Sequence, residues 1–302
     1  MSWRPPLSLW SRRRAKIPHM VLRPLRQLAT RPARPVADAW LAELADALAA
    51  PMSDPAAARS DVCRRTLAEL CYPQYAGNWE TAVADAKLPH GVRLALAALD
   101  PRNVTLEPEY YAECDDARFQ AVKPLLWLWY SFDRTPVGGQ NIDVGIGLRR
   151  LLAPYIFRRC GENFKAFQNV EFSFGYNMEV GDNVVIHRHV LLDDRGGIIL
   201  GNNVSVSDYA NIYSHTHSII DQKDVTDATT ILEDGARITY HATVLAGVRV
   251  GCDAMIGAVA VATKDVRPHH VNVGIPAKSI RIKPTAPADA ATYCLPAARD
   301  RS

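Results

Sequence analysis

Val180-Gly181-Asp182-Asn183-Val184-Val185-Ile186-His187-Arg188-His189-Val190-Leu191-Leu192 is followed closely by Leu200-Gly201-Asn202-Asn203-Val204-Ser205-Val206-Ser207-Asp208-Tyr209-Ala210-Asn211-Ile212. Aliphatic residues stand six apart at Val180, Ile186 and Leu192, and after a two-residue phase slip at Leu200, Val206 and Ile212. The series resumes at Leu232, Ile238, Val244, Val250 and Ile256 and ends at Ala262. Six is neither the helical period nor the strand period of two. It is the repeat of a β-helix, in which each aliphatic residue points inward and a small or turn-forming neighbour rounds a corner. Gly181, Gly201 and Gly251, each followed by Asp or Asn, suit backbone geometries that branched residues would strain.

One stretch interrupts the series. Ser218 to Thr230 has no sixfold aliphatic residue and carries Asp221, Lys223, Asp224 and Asp227, which predicts a loop thrown out of the wall. Loops leaving a rigid scaffold are where function concentrates, and His215 and His217 stand directly before this one.

Upstream the pattern is helical. Apolar residues recur at three- and four-residue intervals from Ala39 to Leu48, and further helical segments are expected over Asp61 to Leu70, Trp79 to Leu88 and Pro108 to Phe119. Leu125 to Tyr130 supplies an aromatic core block. Asp133 to Gln140, with Pro136, Gly138 and Gly139, marks a boundary. Beyond it Leu148, Leu151, Leu152, Tyr155 and Ile156 share a helical face, with Arg149, Arg150, Arg158 and Arg159 placed elsewhere and Pro154 predicting a kink or a second start. Such an amphipathic helix suits the open end of a stacked β-structure.

The chain of 302 residues therefore divides into a basic arm over 1–35, an α-helical domain over 36–132, a linker with a capping helix over 133–163, the β-helix over 164–283 and a flexible tail over 284–302. The fold class is mixed: a small helical domain, then a parallel β-helix. Apolar content of 48% and charged content of 22% belong to a globular protein, and a net charge of +3 is too small for a nucleic-acid binder. Every charged residue from Met1 to Arg34 is basic, so this arm reads as a solvated, partly disordered tail, with peripheral contact with anionic lipid as the alternative. It lacks the unbroken apolar core of a signal peptide, and no run is long enough to span a bilayer. Six scattered cysteines without a CxxC pair read as reduced thiols in a cytoplasmic setting.

The run from Leu200 to Ile219, ending in Thr216-His217-Ser218-Ile219, resembles the maltose and galactoside O-acetyltransferase group of the hexapeptide-repeat acyltransferases. So do Ala260-Val261-Ala262-Thr263-Lys264-Asp265-Val266 and Val273-Gly274-Ile275-Pro276-Ala277-Lys278-Ser279-Ile280. The resemblance covers about Gly175 to Ile282. It implies a left-handed β-helix assembled as a homotrimer, with each active site between neighbouring subunits. It implies acetyl-CoA or another acyl-CoA as co-substrate, no metal, and direct transfer to a hydroxyl of a sugar, glycan precursor or lipid-linked saccharide. His217 matches the family's general base. Asp194 aligns with a family Asp that contacts the acceptor, and His215 and His187 are further acceptor-side candidates. His187 and His189 stand where the family shows Asn and Asp. Thr263 and Lys264 match coenzyme-contacting residues, and Lys278 stands where the family commonly has Arg; Arg237 replaces a family aromatic. Imidazole suits the base because its pKa lies near neutrality.

Two other readings share the scaffold. A γ-carbonic-anhydrase-like zinc enzyme needs histidines that His187/His189 and His215/His217 do not offer at the usual spacing. A non-catalytic β-helix would keep the wall without the Thr-His and Thr-Lys-Asp-Val segments.

Overall fold

A computed structural model describes residues 31–51, 53–138 and 140–288. Most of the basic arm, the segment from 289 and Cys294 lie outside the described residues. The first helix, α1 (Arg34–Ala49), begins inside the stretch assigned to the arm.

The repeat builds a parallel solenoid of about 6 turns with three walls. The first wall holds Arg159–Cys160, Met178–Val180, Ile198–Leu200, Thr230–Leu232 and Arg249–Val250. The second runs from Lys165–Ala166 through Val185–Ile186, Ser205–Val206, Arg237–Ile238 and Met255–Ile256 to His270–Val273, with Lys278–Ile282 added antiparallel. The third holds Glu171–Phe172, Leu191–Asp193, Asn211–Tyr213, Thr243–Val244 and Val261–Ala262. The solenoid thus starts at Arg159, five residues before the expected 164.

Every residue of the sixfold series is buried. A second inward row lies two positions before it: Val184, Val190, Val204, Ala210, Ala236, Ala242, Val248, Ala254 and Ala260 are buried as well. Small side chains there let the three walls meet around a narrow core. The glycines have a different reason from the one expected. Positive φ falls two residues later, on Asn183 (57°), Asn203 (58°) and Asp253 (52°), residues that tolerate it. Gly201 is needed because a Cβ would sit 2.7 Å from the Asp234 amide nitrogen of the next coil.

Coil length carries the positional information. Pairing of Lys165 with Val185 and of Val185 with Ser205 gives coils of 20 residues, whereas Arg237 pairs with Met255 after 18. The phase slip is thus two extra residues at the corner from third to first wall, present at Ser173–Asn177 and again at Asp193–Gly197. The interruption leaves from the same corner one coil later. It is a two-stranded antiparallel hairpin, His215–His217 with Val225–Asp227, rather than an irregular loop.

Before the solenoid lie α2 (Pro55–Cys71), α3 (Trp79–Ala84), α4 (His90–Ala97), α5 (Asp116–Phe132) and α6 (Ile142–Ile156). Asp54 starts α2 by accepting the amides of Ala56 and Ala57. The helix expected over Pro108 to Phe119 is instead a 3₁₀ turn at Glu107–Tyr110 and then the first residues of α5, because Asp115 is extended and caps Arg118. Trp79 to Leu88 is helical only to Ala84.

α5 joins the two regions. Trp129 is fully buried, its indole N–H reaches the Val170 carbonyl at 3.0 Å, and its ring meets Phe172 edge-on at 5.3 Å. α6 packs against the first coil through Leu148, Leu152 and Ile156. It runs unbroken through Pro154, which lies in its last turn and costs one hydrogen bond near an end. Arg149 lies on the buried side, paired with Asp133, and burial lowers its pKa to about 10.

Candidate active site

The corner with the extra residues faces α5 and the 3₁₀ turn, and between them lies a cleft of about 430 Å³. The solenoid side is mainly polar, with Asn169, Glu171, Ser173, Asp193, Arg195, Tyr213 and His215 beside Phe172 and Leu191. The helical side is largely apolar and aromatic, with Leu106, Pro108, Leu126, Trp127 and Tyr130 facing it beside Glu107 and Arg134. Stacking faces opposite hydrogen-bonding groups can hold a small polar ring by its face and its edges.

Asp193 anchors the polar wall. Its Oδ1 accepts from Ser173 Oγ at 2.7 Å, its Oδ2 lies against His215 Nδ1, and its main-chain carbonyl accepts from Ser214 Oγ at 2.5 Å. Asp194, assigned to the acceptor by resemblance, points the other way. It is fully buried, accepts the amides of Phe174 at 2.7 Å and Asn177 at 3.1 Å, and so fixes the corner of the preceding coil. Burial pushes its carboxyl up to about 6, against the opposing pull of those amides. The aspartate at the cleft is the neighbour, Asp193. Arg195 closes one end, donating from Nε to Glu113 Oε1 at 2.6 Å with its guanidinium 4.2 Å from the Tyr111 ring centre.

His217 stands on the exposed flank of the hairpin, and its Nδ1 is 2.7 Å from the Gln222 carbonyl oxygen. A carbonyl only accepts, so Nδ1 carries the proton and Nε2 presents a lone pair. That is the tautomer a general base requires. His187 is elsewhere, at the corner from second to third wall, stacked on Phe167 with ring centres 5.0 Å apart. Within one chain it does not join the cleft.

Thr263 and Lys264 are exposed directly after the last strand of the third wall. The Ala277 amide donates to the Val261 carbonyl at 2.8 Å, which brings Lys278 alongside them. The hairpin leaves the same corner two strands earlier, at a separation of about 10 Å along the solenoid. Asp193 and Arg195 were not singled out from the sequence. The available signal was the phase slip, which recurs between Phe172 and Val180 and between Leu192 and Leu200 and marks the corner where the cleft forms.

Among the described residues no three His, Cys, Asp or Glu side chains are grouped to hold a metal ion. Cys63, Cys71, Cys114, Cys160 and Cys252 are free thiols. No helix of the described residues is long and apolar enough to cross a membrane.

No family model matches the chain. Over 137 residues, 44% of the chain, it is 26% identical to galactoside O-acetyltransferase of Escherichia coli strain K12, covering 68% of that protein. Among solved structures it is similar to a maltose O-acetyltransferase from Clostridium difficile 630, with 24% identity, 58% of this chain and 91% of that one covered, and a TM-score of 0.49. A galactoside acetyltransferase in complex with coenzyme A gives 20% identity, 57% and 85% coverage and a TM-score of 0.49. The sixfold repeat builds a three-walled parallel β-solenoid, and over 137 residues its sequence is similar to that of galactoside O-acetyltransferase.

Proposed function

We propose that the chain transfers an acyl group, acetyl in the first instance, from acyl-CoA to a hydroxyl of a sugar, glycan precursor or lipid-linked saccharide. The observation that carries this reading is His217, whose Nδ1 faces the Gln222 carbonyl and whose Nε2 is left to take a proton beside a cleft with an aromatic and a polar wall. The acceptor oxygen attacks the thioester carbon while its proton passes to Nε2. The tetrahedral intermediate then collapses, the C–S bond breaks, and the imidazolium returns the proton to the departing thiolate as free coenzyme A. No acyl-enzyme forms.

Thr263, Lys264 and Lys278 are assigned to the coenzyme on the same reading, the two lysines acting as point charges toward its phosphates. The working unit is a homotrimer in which a neighbour completes the coenzyme side of each site, which accounts for a base on an exposed flank. His187 is then available to an adjacent subunit's acceptor. The setting is cytoplasmic, with the basic arm touching anionic lipid. Calorimetry with acetyl-CoA and thiol release in the presence of pyranosides test the reading. A chain that binds no coenzyme is a scaffold rather than an enzyme.

A further inference from the structure

Two residues before His217, on the same strand, stands a second imidazole with different surroundings. Alternate strand residues share a face, so His215 and His217 project to one side of the hairpin; their ring centres are 5.2 Å apart and their planes nearly perpendicular. Only His215 lines the cleft. Its Nδ1 lies against Asp193 Oδ2, with the two side chains 15% and 5% exposed. Asp193 is fixed in turn by Ser173 Oγ and, through its carbonyl, by the buried Ser214, whose Oγ also takes the Gly196 amide at 2.9 Å. The His215 ring is therefore held from behind by a network with no catalytic duty in the proposed reaction.

The part of that wall nearest His215 is made mostly of acceptors. A neutral imidazole beside a carboxylate keeps its proton on Nδ1 and offers Nε2 as an acceptor. Ser173 spends its hydroxyl proton on Asp193, which leaves lone pairs, and the Glu171 and Asp193 carboxylates also accept. Arg195, turned to Glu113, and the Tyr213 hydroxyl are donors at its margin, but the groups around His215 accept, so a hydroxyl placed there donates to them, and the one consumed by His217 is not enough.

We infer that His215, held by Asp193, sets which hydroxyl of the acceptor is acylated. Its Nε2 accepts a hydrogen bond from a second hydroxyl, close to the one that His217 deprotonates. The acceptor is thus a molecule with neighbouring hydroxyls, gripped at two points, and an isolated alcohol lacks the second anchor. The inference rests on His217 as the base, and goes beyond it by giving the adjacent imidazole a separate task. A site built to receive a hydroxyl rejects the analogue without it, because its own buried group is left unpaired.

The test uses the full chain, acetyl-CoA and pyranoside probes: p-nitrophenyl β-D-galactopyranoside, methyl α-D-glucopyranoside and their single-deoxy analogues, with thiol release for rate and NMR for the position acetylated. His215→Ala should raise the pyranoside KM about tenfold or more, leave the acetyl-CoA KM unchanged and spread acetylation over several positions. One deoxy analogue should be poor with the unaltered protein and lose nothing further with His215→Ala. His215→Gln, which restores an acceptor at similar reach, should recover part of the selectivity. Asp193→Asn should mimic the alanine variant with the ring still present, because an amide N–H facing Nδ1 moves the imidazole proton to Nε2. Unchanged KM and product position in His215→Ala overturn the inference, as does an equal fall in kcat for every acceptor. Coenzyme binding with no pyranoside turned over overturns it too, yet leaves the coenzyme assignment standing. Absence of coenzyme binding removes the proposed function and this inference together.

Discussion

The solenoid and the helical region build one continuous apolar core by opposite means. In the solenoid each inward residue meets the same kind of residue one coil before and after, as Val180, Leu200 and Leu232 do along the first wall. In the helical region each contact is unique: Trp129 meets Val170 and Phe172, and Trp79 gives its indole N–H to the Leu96 carbonyl at 2.7 Å. A repeated environment is written in the sequence many times over; a unique one is written once and is indistinguishable from its neighbours. The site belongs to neither pattern. It forms where the repeat is broken, at the slipped corner and the hairpin, and where the irregular helices cover that break.

The largest effect should come from the break itself. His217→Ala is expected to lower kcat by roughly 10²- to 10⁴-fold with coenzyme affinity near that of the unaltered protein, the usual size of a general-base contribution. His217 is exposed on a hairpin outside the core, so the melting temperature should hardly move. A variant that keeps most of its turnover with a validated acceptor would remove the proposed mechanism; a variant that melts early would show that the hairpin is part of the scaffold after all.

Next in size is the seam between the regions. Trp129→Ala removes a fully buried indole and its bond to Val170, a change expected to cost about 3–5 kcal/mol. If the helical region depends on the solenoid for its core, limited proteolysis should release α1 to α5 while the repeats stay protected. Cleavage that spreads equally through both regions would contradict that division.

Much of the fold was legible because physics repeats in it. The aliphatic series located one inward row and the interruption, and the Thr-His and Thr-Lys-Asp-Val segments marked two stretches that the fold sets on one corner. What stayed hidden needed three-dimensional context. Asp193 and Asp194 are adjacent and chemically equal in the sequence, and only the path of the widened corner turns one to the cleft and buries the other under two amides. The start of α5 at Asp116 depends on Asp115 as a cap, and Arg149 changes from a surface charge to a buried partner because Asp133 happens to lie across from it.

The buried carboxyl makes that corner testable through pH. Asp194 titrates at about 6 when folded, against 3.8 for an ordinary aspartate, because burial disfavours its charge. The folded state therefore holds the proton more tightly than the unfolded chain. Its contribution is complete below about pH 4 and is lost as pH rises to about 6, a change of about 3 kcal/mol. Asp194→Asn cannot titrate, so the stability difference between the two proteins, from urea unfolding, should shift by that amount in favour of the variant between pH 4 and pH 7. A difference that stays constant across this window would mean that the carboxyl is not buried as described.

The smallest effect should come from the far end of the same corner. Lys264 and Lys278 are exposed and lie at the last coil, about 10 Å along the solenoid from the hairpin exit, so neither ammonium can touch the reacting thioester if His217 is the base. Their assigned work is to attract phosphate, an interaction present equally in the bound substrate and in the transition state, and loss of such uniform binding raises KM without lowering kcat. Lys264→Ala and Lys278→Ala should each raise the acyl-CoA KM several-fold, by the ~1 kcal/mol typical of an exposed charge pair. The effect should fade as salt is added, because solvent-facing charges are screened. Saturating coenzyme should then restore full turnover. If turnover stays low at saturation, these lysines are closer to the chemistry than the solenoid spacing allows, and either the hairpin or the coenzyme has been assigned to the wrong end of the corner.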